Sequence, residues 1–202
     1  MGSEMCIRDS PYIEDLVQQI IDAHTGITDQ EFFQTLFHQP VNSPFQMFLD
    51  SGSAQDFHDY AEELIDSDMI TGIQIYMDFP PQSVRLFNDE LTKDYFSPLS
   101  LARGTYWYGI FQGTQQSSLY CPEFYLGGRE KKKYGDLAYI TSTTFYYQGN
   151  ARQAYIAVYS SSDHLNEMLK DNLKLDGSVS YIINDRNAVV ASSDVSLSGI
   201  YL

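Results

Sequence analysis

LAYITSTTFYYQGNARQAYIAVYSSSDHLNEMLKDNL, residues 137–173, is the stretch on which the fold turns. Two segments rich in aromatic and β-branched residues, 137–147 and 152–161, flank the turn residues Gln148, Gly149 and Asn150. Such segments form strands, and so short a connection makes the two strands antiparallel neighbours. Directly after them the period lengthens. Leu165, Met168, Leu169 and Leu173 recur at the spacing of one helix face.

Working outward, a second strand pair closes the chain. Tyr181, Ile182 and Ile183, then residues 188–191, flank the turn residues 184–187. On the other side, TGIQIYM (71–77) alternates: Ile73, Ile75 and Met77 share one face, Gln74 and Tyr76 the other, as in a half-buried strand. Pro80 and Pro81 break it. The segment 82–136 is the least regular, and within it LGGREKKKYGD (126–136) reads as an exposed loop whose Lys131, Lys132 and Lys133 stay hydrated.

The first third is helical in pattern. Ser10 can cap and Pro11 open a helix with Ile13, Leu16, Val17, Ile20 and Ile21 on one face. Thr28 and Glu31 have capping-box spacing before Phe32, Phe33, Leu36 and Phe37, and Ser43 and Gln46 repeat it before Met47, Phe48 and Leu49. Ser53 precedes an amphipathic run of Phe57, Tyr60, Ala61, Leu64 and Ile65. Four helices followed by strands, one more helix and a hairpin predict an α+β fold: an antiparallel sheet of five to six strands, with N-terminal helices and a bridging helix. The final hairpin is expected to close the sheet. The boundaries that follow are a leader at 1–10, an N-terminal helical region at 11–68 and a sheet-centred domain at 69–202.

Composition narrows the function. A formal net charge of −15 over 202 residues, with no basic stripe, argues against nucleic acid as a partner. Of the two cysteines, Cys6 falls in the leader, so Cys121 has no internal disulfide partner. No segment reaches the ~18 apolar residues a membrane span needs. The stop after Leu202 reads as a cut, so any anchors of a membrane-bound parent are expected to lie outside this sequence.

Three motifs, in this order and spacing, resemble the extracellular Cache (double-Cache, PAS-like) sensor domain of bacterial transmembrane sensor histidine kinases. YWYGIF (106–111) is similar to the family's Trp-Tyr element. RQAYIAVYSSSDHLNEML (152–169) is similar to its penultimate strand and following helix, and GSVSYIINDRNAVVASSDVSLSGIYL (177–202) to its closing hairpin, with Asn187 where Gly is usual. The resemblance implies a PAS-like sheet and a small-molecule pocket. It also implies a membrane-anchored, dimeric parent that signals to a cognate response regulator through a cytoplasmic kinase. A chemoreceptor could carry the same sensor, and a surface carbohydrate-binding or adhesion module that transmits nothing is the rival.

The resemblance also implies site residues. It sets Trp107 and Tyr108 at the pocket wall. The amino-acid-binding members place an Arg two residues before the Trp-Tyr pair, where this chain has Thr105; Arg103, two residues earlier, would share a strand face with Thr105 and could act as a shifted clamp. No Asp stands in AYIAVYSSS where the amine partner is expected, which disfavours an α-amino acid and leaves a sugar or other polar metabolite. Tyr106, Tyr139 and Tyr155 are further candidates, since hydroxylated rings suit flat polar ligands, although strand aromatics equally pack on neighbours. His24, His38, His58 and His164 have no metal-ligand spacing, and no G-x-S-x-G elbow, phosphate loop or H-E-x-x-H occurs. No catalytic residue, metal or cofactor is therefore assigned.

Overall fold

Strand β4 (Leu137–Tyr147) and strand β5 (Asn150–Ser160) form the predicted pair, antiparallel along their whole length from Leu137↔Ser160 to Tyr147↔Asn150. The computed structural model describes residues 11–37, 44–66, 69–79, 85–147, 149–171, 178–197 and 199–202. The leader, His38, Ser43, the Pro80-Pro81 break, Gln148, Leu173 and Gly177 lie outside the described residues.

Around this pair the sheet runs in the order β2-β1-β5-β4-β3, with β1 at Gly72–Met77, β2 at Phe96–Pro98 and β3 at Ser118–Cys121. The architecture is α+β, as expected, in the PAS-like layout of one central sheet with packed helices. The sheet is mixed, however, and not wholly antiparallel. β1 and β2 run parallel, with Ile75 opposite Phe96.

Among the described residues four helices precede β1, as the pattern predicts: α1 (Pro11–Asp29), α2 (Glu31–Phe37), α3 (Pro44–Asp50) and α4 (Ser53–Ile65). Two start signals fall differently. Thr28 lies inside α1, its hydroxyl donating to the Thr25 carbonyl at 2.9 Å, and α4 is capped by Gly52 at φ 86° rather than by a serine side chain. The buried faces of these helices, including Ile20, Ile27, Phe37, Phe48 and Phe57, join one core with Ile73, Ile75, Met77, Phe145, Ile156 and Val158 of the sheet. The helical region and the sheet thus share a core, each buried Phe or Ile contributing about 1.5–3 kcal/mol.

The opposite sheet face is covered too. Helix α5 (Tyr106–Gly113), a 3₁₀ turn at Glu123–Tyr125 and helix α6 (Gly128–Lys133) lay Trp107, Phe111 and Tyr125 against Tyr76, Ala138, Ile140, Tyr155, Ala157 and Tyr159. Cover on both faces is why all six residues of β1 are buried, where alternation alone suggested a half-buried strand. The alternation is real; its polar face meets a second packed layer instead of water. Gln74, fully buried there, donates to the Asp94 carbonyl and accepts from Ser97 Oγ at 2.9 Å.

After β5, helix α7 (Ser162–Asp171) follows as predicted, its start held by Asp136, which accepts from the Ser162 amide at 2.7 Å and hydroxyl at 2.6 Å. The closing hairpin, β6 (Tyr181–Ile183) and β7 (Val189–Ser192), does not complete the main sheet. It is a separate two-stranded sheet. Side chains tether it: Asn184 Nδ2 donates to the Tyr120 carbonyl at 2.8 Å, and the Ser192 amide donates to Asn166 Oδ1 at 2.9 Å. Asn187 takes the left-handed turn position at φ 58°, which asparagine tolerates. Beyond Gly199 the backbone returns to the hairpin, Tyr201 bridging Ala188 and the Leu202 amide donating to the Asn187 carbonyl at 2.9 Å.

Candidate ligand site

The segment expected to be a hydrated loop supplies the centre of the site. In α6 the cations point outward and one acid points inward. Lys131 reaches Glu123 at 2.9 Å and Lys133 reaches Asp94 at 3.4 Å on the surface. Between Arg129 and Lys131, Glu130 turns inward and is only 5% exposed. Its Oε2 accepts the Gly127 amide at 2.6 Å, which closes the first turn of the helix in capping-box fashion.

Three side chains from three elements meet its other oxygen. Tyr76 Oη of β1 donates to Oε1 at 2.9 Å, Tyr159 Oη of β5 at 2.8 Å, and Trp107 Nε1 of α5 at 3.1 Å. Among the described residues no cation pairs with Glu130. Bonds to a charged acceptor contribute about 1.5–3 kcal/mol each, which is what offsets the desolvation of a lone buried carboxylate. Burial first, then the charge of Glu130, raises the Tyr76 hydroxyl well above the ordinary phenol range. Burial does the same to Tyr159. Both phenols therefore hold their protons and donate.

Around this cluster lies an aromatic wall. Trp107, fully buried, meets Tyr155 edge-on at 5.3 Å and Tyr76 at 5.6 Å, and Tyr108 meets Tyr155 at 5.9 Å. Gln112 Nε2 donates to Tyr155 Oη at 3.1 Å. A cavity of about 40 Å³ opens onto Glu130, bounded by Tyr76, Ser97, Thr105, Gly127 and Arg129 among others. Two wider concavities lie elsewhere: about 260 Å³ beside Glu62, Glu90, Asp94 and Lys133, and an open groove of about 530 Å³ along Gly109, Gly113 and Arg186. The charges lining the first are exposed or half-buried, whereas in the groove Arg186 is half-buried and its Nε is buried with no hydrogen-bond partner among the described residues.

The candidates named from sequence separate into two groups. Trp107, Tyr108 and Tyr155 come together on one side of the sheet. Arg103, Tyr106 and Tyr139 do not join them. Arg103 is exposed, 3.4 Å from Asp78; Tyr106 is 52% exposed, its hydroxyl 3.2 Å from that of Tyr201; Tyr139 faces the N-terminal helices, against His24 and Tyr120. The shifted-clamp argument assumed a strand through Arg103 and Thr105. The backbone is instead a turn leading into α5, and Thr105 is its N-cap, accepting from the Tyr108 amide at 3.4 Å. Aromatic residues raise strand propensity, and a helix-starting threonine overrides it here. Glu130, Tyr76 and Tyr159 went unsingled in the sequence as a site, since their partners lie 23–83 positions apart in the chain. The available signal was a lone acid in a basic run, three residues after a glycine.

Among the described residues no group of three or more His, Cys, Asp or Glu side chains is placed to hold a metal ion. None of the described helices is long and apolar enough to cross a membrane. Cys121 is buried, and burial raises its thiol well above the ordinary value, which leaves it unreactive.

No family model matches the chain, and no curated protein matches it. Among solved structures, the ligand-binding domain of the Campylobacter jejuni chemoreceptor Tlp3, in complex with 4-methylisoleucine, is similar over 94% of this chain and 74% of that one, at 15% identity and a TM-score of 0.37. A likeness that distant decides nothing about the chemistry of this chain.

Proposed function

We propose that this chain is the extracellular ligand-sensing domain of a membrane-anchored bacterial receptor, with a small molecule bound between the sheet and the 82–136 segment. The observation that carries the reading is the buried carboxylate cluster. Glu130, Tyr76, Tyr159 and Trp107 are brought by four elements, α6, β1, β5 and α5, to one side of the sheet beside a cavity, with no catalytic nucleophile, base or metal set among them. The same sheet carries α1 on its other face. A ligand that favours one packing of the sheet would thereby bias α1, and a coupling of ~1–3 kcal/mol suffices to signal.

The motif resemblance in 106–111, 152–169 and 177–202 supports a sensor histidine kinase as the parent, dimeric and acting on a response regulator; a chemoreceptor is the alternative output. The ligand-contact set proposed is Glu130 and Tyr76, which line the cavity, with Trp107, Tyr108 and Tyr155 forming the aromatic wall behind them. A thermal-shift panel of sugars, organic acids, nucleosides, amino acids and amines tests it. One chemical class should raise the melting temperature in a dose-dependent way through binding to the folded state. Trp107→Phe, which keeps an aromatic ring but is smaller and lacks the Nε1 donor, should weaken that effect. A panel with no responder would sink the reading.

A further inference from the structure

Two glycines of α5 meet no need inside this chain. Gly109 and Gly113 stand about one helical turn apart on the exposed side of the helix, where Trp107 and Phe111 hold the buried side. A Cβ at either would meet nothing within 4 Å, and neither has a positive φ. Alanine favours a helix over glycine at such positions, so the pair weakens α5 with no compensating contact in the described residues. What the missing side chains leave open is the groove of about 530 Å³ along the helix.

The groove is chemically one-sided. Arg186, from the turn of the closing hairpin, is the one charged residue of its lining. The Arg186 amide donates to Asn184 Oδ1 at 3.0 Å, but its guanidinium has no hydrogen bond or ion pair among the described residues, and Nε is buried. Thr105 Oγ1 donates to the Ala102 carbonyl at 2.7 Å and Thr114 Oγ1 to the Ile110 carbonyl at 2.9 Å, so neither has a proton left for a guest. Ile110 and the half-exposed ring of Tyr106, packed on Tyr125 at 4.9 Å, complete the wall. A sugar would find few donors here and no carboxylate to receive its hydroxyls. An ammonium would meet only like charge. A hydrocarbon would cover the guanidinium and leave it unpartnered, which is unfavourable. A flat ring carrying an oxyanion suits the glycine-flattened helix, Tyr106 and Arg186 together.

We propose that the outer groove of α5 is a second binding site, for a planar aromatic anion such as an aryl carboxylate or aryl sulfonate, with its oxyanion on Arg186 and its ring against Gly109 and Gly113. The site is separate from the cavity at Glu130, which Trp107 approaches from the inner side of α5; Thr105 is the one residue lining both. Arg186 also lies far along the chain from 103–105, where the family resemblance sets a carboxylate clamp. The inference goes beyond the sensor reading and does not rest on it.

The test is calorimetric titration of the whole chain with benzoate and p-toluenesulfonate at low salt. Benzamide keeps the ring without the charge, and acetate keeps the charge without the ring. The aryl anions should bind saturably, and both counterparts at least about tenfold more weakly. Arg186→Gln should abolish binding, and it breaks no side-chain bond among the described residues. Arg186→Lys should restore part of it, since the charge returns without the planar fork. Gly109→Leu fills the groove with a helix-favouring side chain, so it should raise the melting temperature of the free protein while lowering affinity. A glycine needed only for the fold would instead lose stability. Acetate or benzamide binding as tightly as benzoate would overturn the proposal, as would affinity unmoved by Gly109→Leu, or no saturable binding at all. The sensor reading is judged apart: a compound whose melting shift survives Arg186→Gln and falls in Trp107→Phe belongs to the cavity at Glu130.

Discussion

At the scale of single residues, the account rests on Glu130 and the protons aimed at it. Tyr159→Phe removes one donor from a buried carboxylate and leaves the ring packing intact, so urea denaturation should show a loss of about 1–3 kcal/mol. A loss near zero would mean that the hydroxyl does not hold the cluster. Little of this was legible beforehand. In 126–136 the run of lysines outweighs one glutamate, and the sequence alone does not say which charge points inward. Trp107 was legible, because its motif drew attention to it. Its partner was not, because the partnership exists only after α5 and α6 have folded onto β1 and β5.

At the scale of elements, two contacts hold the layers in register. Helix α1 meets β4 through His24, whose Nε2 lies 2.5 Å from Thr141 Oγ1 with the ring edge-on to Tyr139. Burial lowers the imidazole from 6.5 to about 4, so the folded state holds it neutral. A depressed value means that this contact contributes fully above about pH 6.5 and is lost as pH falls towards 4, on the order of 3 kcal/mol. His24→Gln keeps a hydrogen-bonding side chain without the titration, and should flatten the stability profile across that window relative to the parent chain. Where α6 hands over to β4, Gly135 sits at φ 150°, and a Cβ there would come within 2.5 Å of Thr71 Oγ1 and 2.6 Å of the Ser160 carbonyl. Gly135→Ala should therefore cost more than about 1 kcal/mol by thermal or urea unfolding. The strands and helices with strong periodicity, β1, β4, β5, α4 and α7, could be placed from pattern alone. Helix α5 could not, since YWYGIF has strand-forming residues and only the capping threonine marks a helix. The parallel pairing of Ile75 with Phe96 is not made through a local turn, and no local pattern encodes it.

At the scale of the whole molecule, the sheet is a partition. One face carries α1 to α4 and a phenylalanine-rich core; the other carries α5, α6 and the carboxylate cavity. The expectation that the final hairpin seals the sheet missed the side-chain tethers, Asn184 to Tyr120 and Asn166 to Ser192, that seat it as a separate unit. Such tethers span up to 64 positions and leave no local trace. The partition makes the central claim testable with one natural probe, because the chain has a single tryptophan and it is fully buried against Glu130. The measurement is the fluorescence of Trp107 during titration with whichever compound raises the melting temperature of the parent chain and of Arg186→Gln alike. The account predicts a saturable change in emission with the same midpoint as the thermal response. A ligand that stabilises the protein while leaving Trp107 emission unmoved would place the site elsewhere and contradict the account.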